Sequence, residues 1–129
     1  MDNKTICIVE DNIPIRKLFS TILKKSGYEI ADFGDGETAI AWLKDNEPLV
    51  LICDILLPDM NGTEIMKFTK TMPYGNNIPI IAATGFCQMN DREKFLEDGF
   101  DAFISKPINT ATFVQEIEAF IQEKKDSLK

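Results

Sequence analysis

The sequence predicts an α/β domain of three layers, with a doubly wound, parallel five-stranded sheet between helices. Three observations carry this. Apolar runs alternate five times with segments whose apolar residues recur at helical spacing. One run, Leu49 to Cys53, is apolar throughout, as expected of a strand covered on both faces of a parallel sheet. The length of 129 residues is that of one ordinary domain, able to bury a core without disulfides or metal staples.

In chain order, Thr5 to Val9 reads as the first strand and ends at Glu10-Asp11-Asn12. A helix follows, with Ile15, Leu18, Phe19, Ile22 and Leu23 on one stripe, Pro14 near its start and Gly27 past its end. Glu29 to Phe33 is the second strand. Asp35 is placed to cap a helix reaching about Asn46, with Ala39, Ile40 and Leu43 inward. The third strand runs from Leu49 to Asp54. Pro58-Asp59-Met60-Asn61-Gly62 is turn material, with Asp59 read as a turn residue and Glu64 as a helix-start residue. Ile65, Phe68 and Thr69 share a face of the next helix. Ile78 to Thr84 is the fourth strand, with Pro79 at its entry. Asn90 to Asp98 is a short charged helix ended by Gly99, and Ala102 to Ser105 is the fifth strand. Asn109 is expected to cap the last helix, whose stripe is Phe113, Ile117, Phe120 and Ile121. Residues 1–129 read as a single domain, with a polar tail from about 123 to 129 expected to fray. Right-handed crossovers place helices on both sheet faces.

Composition narrows the function classes. A net charge of −7 from 14 basic and 21 acidic residues repels phosphate backbones, so no direct nucleic-acid partner is expected. Five residues is the longest apolar run, against the 20 or so that span a bilayer, so no membrane association is expected. Three widely spaced cysteines, Cys7, Cys53 and Cys87, read as free thiols of a cytoplasmic protein. Histidine is absent. That removes Ser–His and Cys–His catalysis, imidazole metal sites and any phosphohistidine carried by the chain itself.

Open α/β sheets bind ligands beyond the carboxyl ends of their strands. There the sequence places Glu10 and Asp11 after the first strand, Asp54 ending the third, Thr84 ending the fourth and Lys106 following the fifth. Carboxylates from two strand ends repel in a low-dielectric crevice. A hard divalent cation such as Mg²⁺, taking oxygen ligands and keeping waters, relieves them. Lysine, hydroxyl and backbone amides suit phosphoryl oxygens, and a central carboxylate is a competent nucleophile toward phosphorus.

These residues, in "IVEDN", "LICDILLPDMNG", "AATG" and "FISKP", resemble the receiver domain of two-component response regulators, the CheY-like superfamily, over nearly the whole chain. The resemblance implies a flavodoxin-like (βα)₅ fold with strand order 2-1-3-4-5, an order the superfamily itself exemplifies. It makes Asp54 the phosphoacceptor. Asp11, Asp54 and the Leu56 carbonyl become Mg²⁺ ligands, with Glu10 acting through water. Thr84 and Lys106 contact the phosphoryl group, Thr84 and Phe103 form the switch, and Lys106–Pro107 is a cis peptide. Leu56 and Phe86 fall where the family tunes hydrolysis, and an apolar pair there implies slow loss of phosphate. The implied partners are a sensor histidine kinase or histidine phosphotransfer protein, and a downstream target bound on the helix 4–strand 5–helix 5 face of a monomer or phosphorylation-dependent dimer. The chain would then catalyse only its own phosphorylation and dephosphorylation.

One rival reading stays open and the others fare worse. A receiver excised from a hybrid kinase or a transcriptional regulator shares every residue of the motif. A constitutive module has no need of the acidic set, and an aspartate-based phosphatase wants an acid where Leu56 stands. Gly34-Asp35-Gly36-Glu37-Thr38-Ala39 fits a dinucleotide fingerprint, but it follows the second strand and sets two acids where a pyrophosphate would sit.

Overall fold

The computed structural model describes residues 3–85 and 89–128. Strands β1 (Thr5–Val9), β2 (Glu29–Phe33), β3 (Val50–Asp54), β4 (Ile80–Thr84) and β5 (Ala102–Ser105) alternate with helices α1 (Ile13–Lys25), α2 (Gly36–Asp45), α3 (Gly62–Lys70), α4 (Met89–Asp98) and α5 (Phe113–Ser127). The strands form one sheet in the order β2-β1-β3-β4-β5. All four pairings are parallel. This is the doubly wound fold and strand order that the sequence and its resemblance lead one to expect. Among the described residues no helix is long and apolar enough to cross a membrane.

Strand alternation divides the core in two. Cys7, Val9, Leu51, Cys53, Ile80 and Ala82 face a layer that includes Leu43, Ile65, Met66 and Phe95 from α2, α3 and α4. Ile6, Ile8, Val50, Ile52, Ile81 and Ala83 face Phe19 and Leu23 of α1 and Phe113, Ile117 and Ile121 of α5. β3 and β4 are buried at every position, as strands covered on both faces must be.

Local chemistry sets the helix ends. The Asn12 side chain accepts from the Ile15 amide at 3.0 Å. Asp35 accepts from the Thr38 amide at 2.9 Å, so the expected cap on α2 is present. Asn61 and Glu64 form a reciprocal capping box on α3. Gly27 takes φ 95° just past α1, a left-handed turn that glycine adopts without a Cβ penalty.

Two expectations need correcting. The fourth strand enters its ladder at Ile80, two residues later than read, and Pro79 lies outside it. Asn109 does not cap α5. Its side chain accepts from the Ala111 amide at 3.0 Å and its carbonyl from the Thr112 amide at 3.1 Å, closing a turn before the helix begins at Phe113. Asparagine serves both local geometries. The polar segment after Gln122 continues α5 to Ser127, and there Lys124 Nζ reaches Asp101 Oδ1 at 2.9 Å. Asp101 Oδ2 also accepts from the Ile80 amide at 2.8 Å, so the ion pair ties the helix to the entry of β4.

The 71–79 connection is pinned by Tyr74, whose buried hydroxyl donates to the Leu43 carbonyl at 2.6 Å. That carbonyl lies in the last turn of α2, where helical partners run out. Tyr74→Phe is expected to lower unfolding stability by about 1–2 kcal/mol. Urea unfolding checks this, and an unshifted midpoint would count against the bond.

Candidate functional site

Period-two alternation decides which strand-end side chains meet. The positions facing α1 and α5 are Ile6 and Ile8 on β1, Val50 and Ile52 on β3, and Ala102 and Ile104 on β5. Two residues further along each strand stand Glu10, Asp54 and Lys106. They therefore emerge on one face, at one edge of the sheet. Lys106 Nζ lies 2.6 Å from Glu10 Oε1 and 3.2 Å from Asp54 Oδ2. Glu10 is 1% exposed and Asp54 7%, whereas Asp11 is exposed. Oxygens of Glu10, Asp11 and Asp54 all come within 4.8 Å of one another.

The backbone completes the cup. The Leu56 amide donates to Asp54 Oδ1 at 3.3 Å and the Asn12 amide to Glu10 Oε2 at 3.2 Å. The Gly62 amide donates to the Ile55 carbonyl at 2.7 Å. A Cβ on Gly62 would collide with the Asp54 carbonyl oxygen, so glycine is required for α3 to start this close to Asp54. The Lys106 amide donates to the Thr84 carbonyl at 2.9 Å, and the Lys106–Pro107 peptide is cis.

Burial dominates the electrostatics. Desolvation pushes the Glu10 carboxyl up to about 7, with Lys106 pulling it down and Asp54 adding repulsion. Burial pulls the Lys106 ammonium down, but Glu10 and Asp54 together hold it above its ordinary value. The hollow thus holds Lys106 charged and remains short of positive charge, which fits a hard divalent cation on oxygen donors.

Above the acids opens a cleft of about 470 Å³, lined by Asp54, Thr84, Gly85 and Lys106 and by the apolar Ile15, Leu18, Leu56, Pro107 and Ile108. Of these, Leu18 is 41% and Leu56 54% exposed. Among the described residues, nothing beyond its chain neighbours lies within 4 Å of a Cβ added at Gly85.

The response regulator receiver domain model matches residues 6–118. This chain belongs to the response regulator receiver domain family. It is 35% identical over 118 residues to the polar-differentiation response regulator DivK of Brucella anthropi, covering 92% of this chain and 96% of that one. DivK of Brucella ovis matches equally well. Among solved structures, the CheY-like receiver domain protein of Methanospirillum hungatei superposes with a TM-score of 0.85 at 29% identity, covering 98% of this chain and 99% of the other. The receiver domain of a sensor histidine kinase of Pseudomonas aeruginosa PAO1, solved with magnesium in its active-site cleft, gives 0.84 at 25% identity over 94% and 99%. The protein is a receiver of two-component phosphorelay signalling.

In this receiver Glu10, Asp11, Asp54 and Lys106 come together, and Thr84, 1% exposed, ends β4 beside them. Phe103 does not join them. It is half-buried against the α2–α4 layer, its ring 6.4 Å from that of Phe95. Phe86 lies outside the described residues. Sequence reading missed a further residue of the acidic loop's surroundings, because Asp59 is more than a turn residue. Its carboxylate accepts from the Gly36 and Glu37 amides at 2.9 Å each, tying the loop after Asp54 to the start of α2. These bonds hold the Asp59 carboxyl below the usual carboxylate range.

A depressed carboxyl stabilises the fold above its unfolded-state pKa, near 3.9, and this is lost as pH falls through the folded-state value. Asp59→Ala should therefore lower Tm at pH 7, and the gap from wild type should close as pH drops below about 4. Thermal melts across that range check it. A gap that persisted at low pH would remove the charge from the explanation.

Proposed function

We propose that Asp54 is the phosphoacceptor of this receiver and that Asp11, Asp54 and the Leu56 carbonyl hold Mg²⁺, with Glu10 acting through water. The observation that carries the proposal is the convergence of Lys106 and three carboxylates on one half-buried hollow. A phosphohistidine on a sensor histidine kinase or phosphotransfer protein supplies the phosphoryl group. A carboxylate oxygen of Asp54 attacks phosphorus, the P–N bond breaks, its electron pair leaves on the imidazole, and an acyl phosphate forms. Bound Mg²⁺ supplies positive charge to the phosphoryl oxygens. Lys106 and Thr84 answer the remaining oxygens by charge and hydrogen bond. The chain thus takes part in its own phosphorylation and dephosphorylation.

The apolar collar of Ile15, Leu18, Pro107 and Ile108 around a charged floor supports a protein donor in preference to a free metabolite, because it offers area that a partner helix can bury. Free thiols at buried Cys7 and Cys53 accord with the cytoplasmic location such a donor requires. The switch follows from β-register. Ala82 pairs with Phe103 and Thr84 with Ser105, so alternation sets Thr84 and Phe103 on one face, diagonal to each other. Movement of Thr84 toward a phosphoryl group opens space that Phe103 can enter, which alters the α4–β5–α5 face read by a downstream target and decides between monomer and dimer.

Incubation with acetyl phosphate and Mg²⁺ should add one phosphoryl mass, lost in Asp54→Asn or with chelator. A mass gain that survives Asp54→Asn would displace Asp54 from its role.

Leu56 sets the lifetime of the acyl phosphate. Its exposed side chain stands beside Asp54 and has no group to hold a hydrolytic water. Leu56→Asn should shorten the aspartyl-phosphate half-life several-fold in a radiolabel or mass-shift decay. An equal or longer half-life would contradict this.

A further inference from the structure

We propose that Arg16, seated against Gly34, is the positioning residue that holds the Glu10–Asp11 loop in metal-binding geometry. The inference rests on the metal reading given above and adds a residue that the acidic motif does not contain. Arg16 lies in the first turn of α1. Its Nη1 donates to the Glu10 carbonyl at 3.0 Å, and its Nε stands 3.6 Å from Asp32 Oδ2. Asp32 at the exit of β2 is steadied in turn by Ser20, whose hydroxyl donates to the same oxygen at 3.4 Å. A Cβ at Gly34 would collide with Arg16 Nη1. The guanidinium therefore fills a slot that exists only because residue 34 is glycine.

The bonded carbonyl is what matters. It belongs to the peptide that joins Glu10 to Asp11, and rotation of that peptide swings the Asp11 carboxyl. The Glu10 amide is already fixed, donating to the Phe33 carbonyl at 2.9 Å. Arg16 fixes the other side of the residue. Asp11 itself is exposed and leaves the regular ladder, so its direction depends on this backbone anchor. The Arg16–Asp32 pair is partly exposed, with side chains 23% and 44% accessible, and such pairs add little to global stability. Its contribution is orientation, which requires the planar fork of arginine and not positive charge alone.

Mg²⁺ titration by calorimetry, with Tm and metal-free amide exchange in parallel, tests this on the full chain. Arg16→Met, Arg16→Lys and Gly34→Ala should each weaken Mg²⁺ binding about tenfold, as loss of a group supporting a metal ligand does. Gly34→Ala displaces only the end of a flexible side chain, so it should fold. The double variant Arg16→Met/Gly34→Ala should bind no more weakly than Arg16→Met, because both changes remove one interaction. Amide exchange at residues 10–12 should rise in all of them without metal. Wild-type affinity in Arg16→Lys would reduce the effect to charge, and full additivity of the double variant would uncouple Gly34 from Arg16. Either result overturns the proposal, as does unchanged exchange. A wild type that binds no Mg²⁺ would sink the metal reading alone, and exchange at the loop would still decide the role of Arg16.

Discussion

Two nearly buried carboxylates, Glu10 and Asp54, face each other across the lysine that separates them, with a third, Asp11, at the rim. Buried like charges are among the costliest arrangements a fold can adopt, and removing one partner of a buried ion pair leaves the other uncompensated. Lys106 makes the hollow tolerable but does not neutralise it. The remaining deficit appears in Glu10, whose proton affinity burial raises to about 7. A site in this condition is selective by construction. It favours ligands that bring positive charge.

The sheet is what holds the charges in place. Order β2-β1-β3-β4-β5 sets β1 beside β3 and places their carboxylates as neighbours, while β5 brings the lysine in from the far edge. Strands buried on both faces cannot slip register without turning core residues outward, so the spacing of Glu10 and Asp54 is fixed by Ile6, Ile8, Val50 and Ile52 as much as by the loops. The loops are then anchored from outside. Asn12 caps α1, Asn61 and Glu64 cap α3, and Asp59 fastens the loop after Asp54 to α2. Each anchor satisfies helix-terminal amides that would otherwise need water, and each also limits how far an acidic side chain can turn away.

How much of this was legible follows from the range of each interaction. The all-apolar run at Leu49–Cys53 fits a doubly covered strand, and the five short strands fell near their observed bounds because alternation and turn residues act over a few positions. The site residues were legible because each ends or follows a strand. What could not be read was contact between distant segments. Asp59 looked like turn material because its partners, Gly36 and Glu37, are donated by another helix. Nothing local marks Arg16, whose partners are Asp32 on β2 and Gly34 just after that strand. At the end of α5, nothing local shows that Lys124 meets Asp101. Asn109 failed for the opposite reason: its local signal is real but serves two geometries equally.

The same alternation that gathers the charges also sets Phe103 on the other side of the sheet from them. Glu10, Asp54 and Lys106 extend the face that packs on α1 and α5, and the apolar collar from Ile15 to Ile108 stands on that side. Phe103 belongs to the opposite face and touches the layer that holds Phe95, whose ring also meets Phe100 at 6.2 Å. Thr84 shares that second face by alternation, yet its carbonyl accepts the amide of Lys106. Asp54 and Phe103 therefore lie on opposite sides of the sheet, joined through β4 and β5. Thr84 belongs to both sides, since it lines the cleft with Asp54 and Lys106 and shares its sheet face with Phe103.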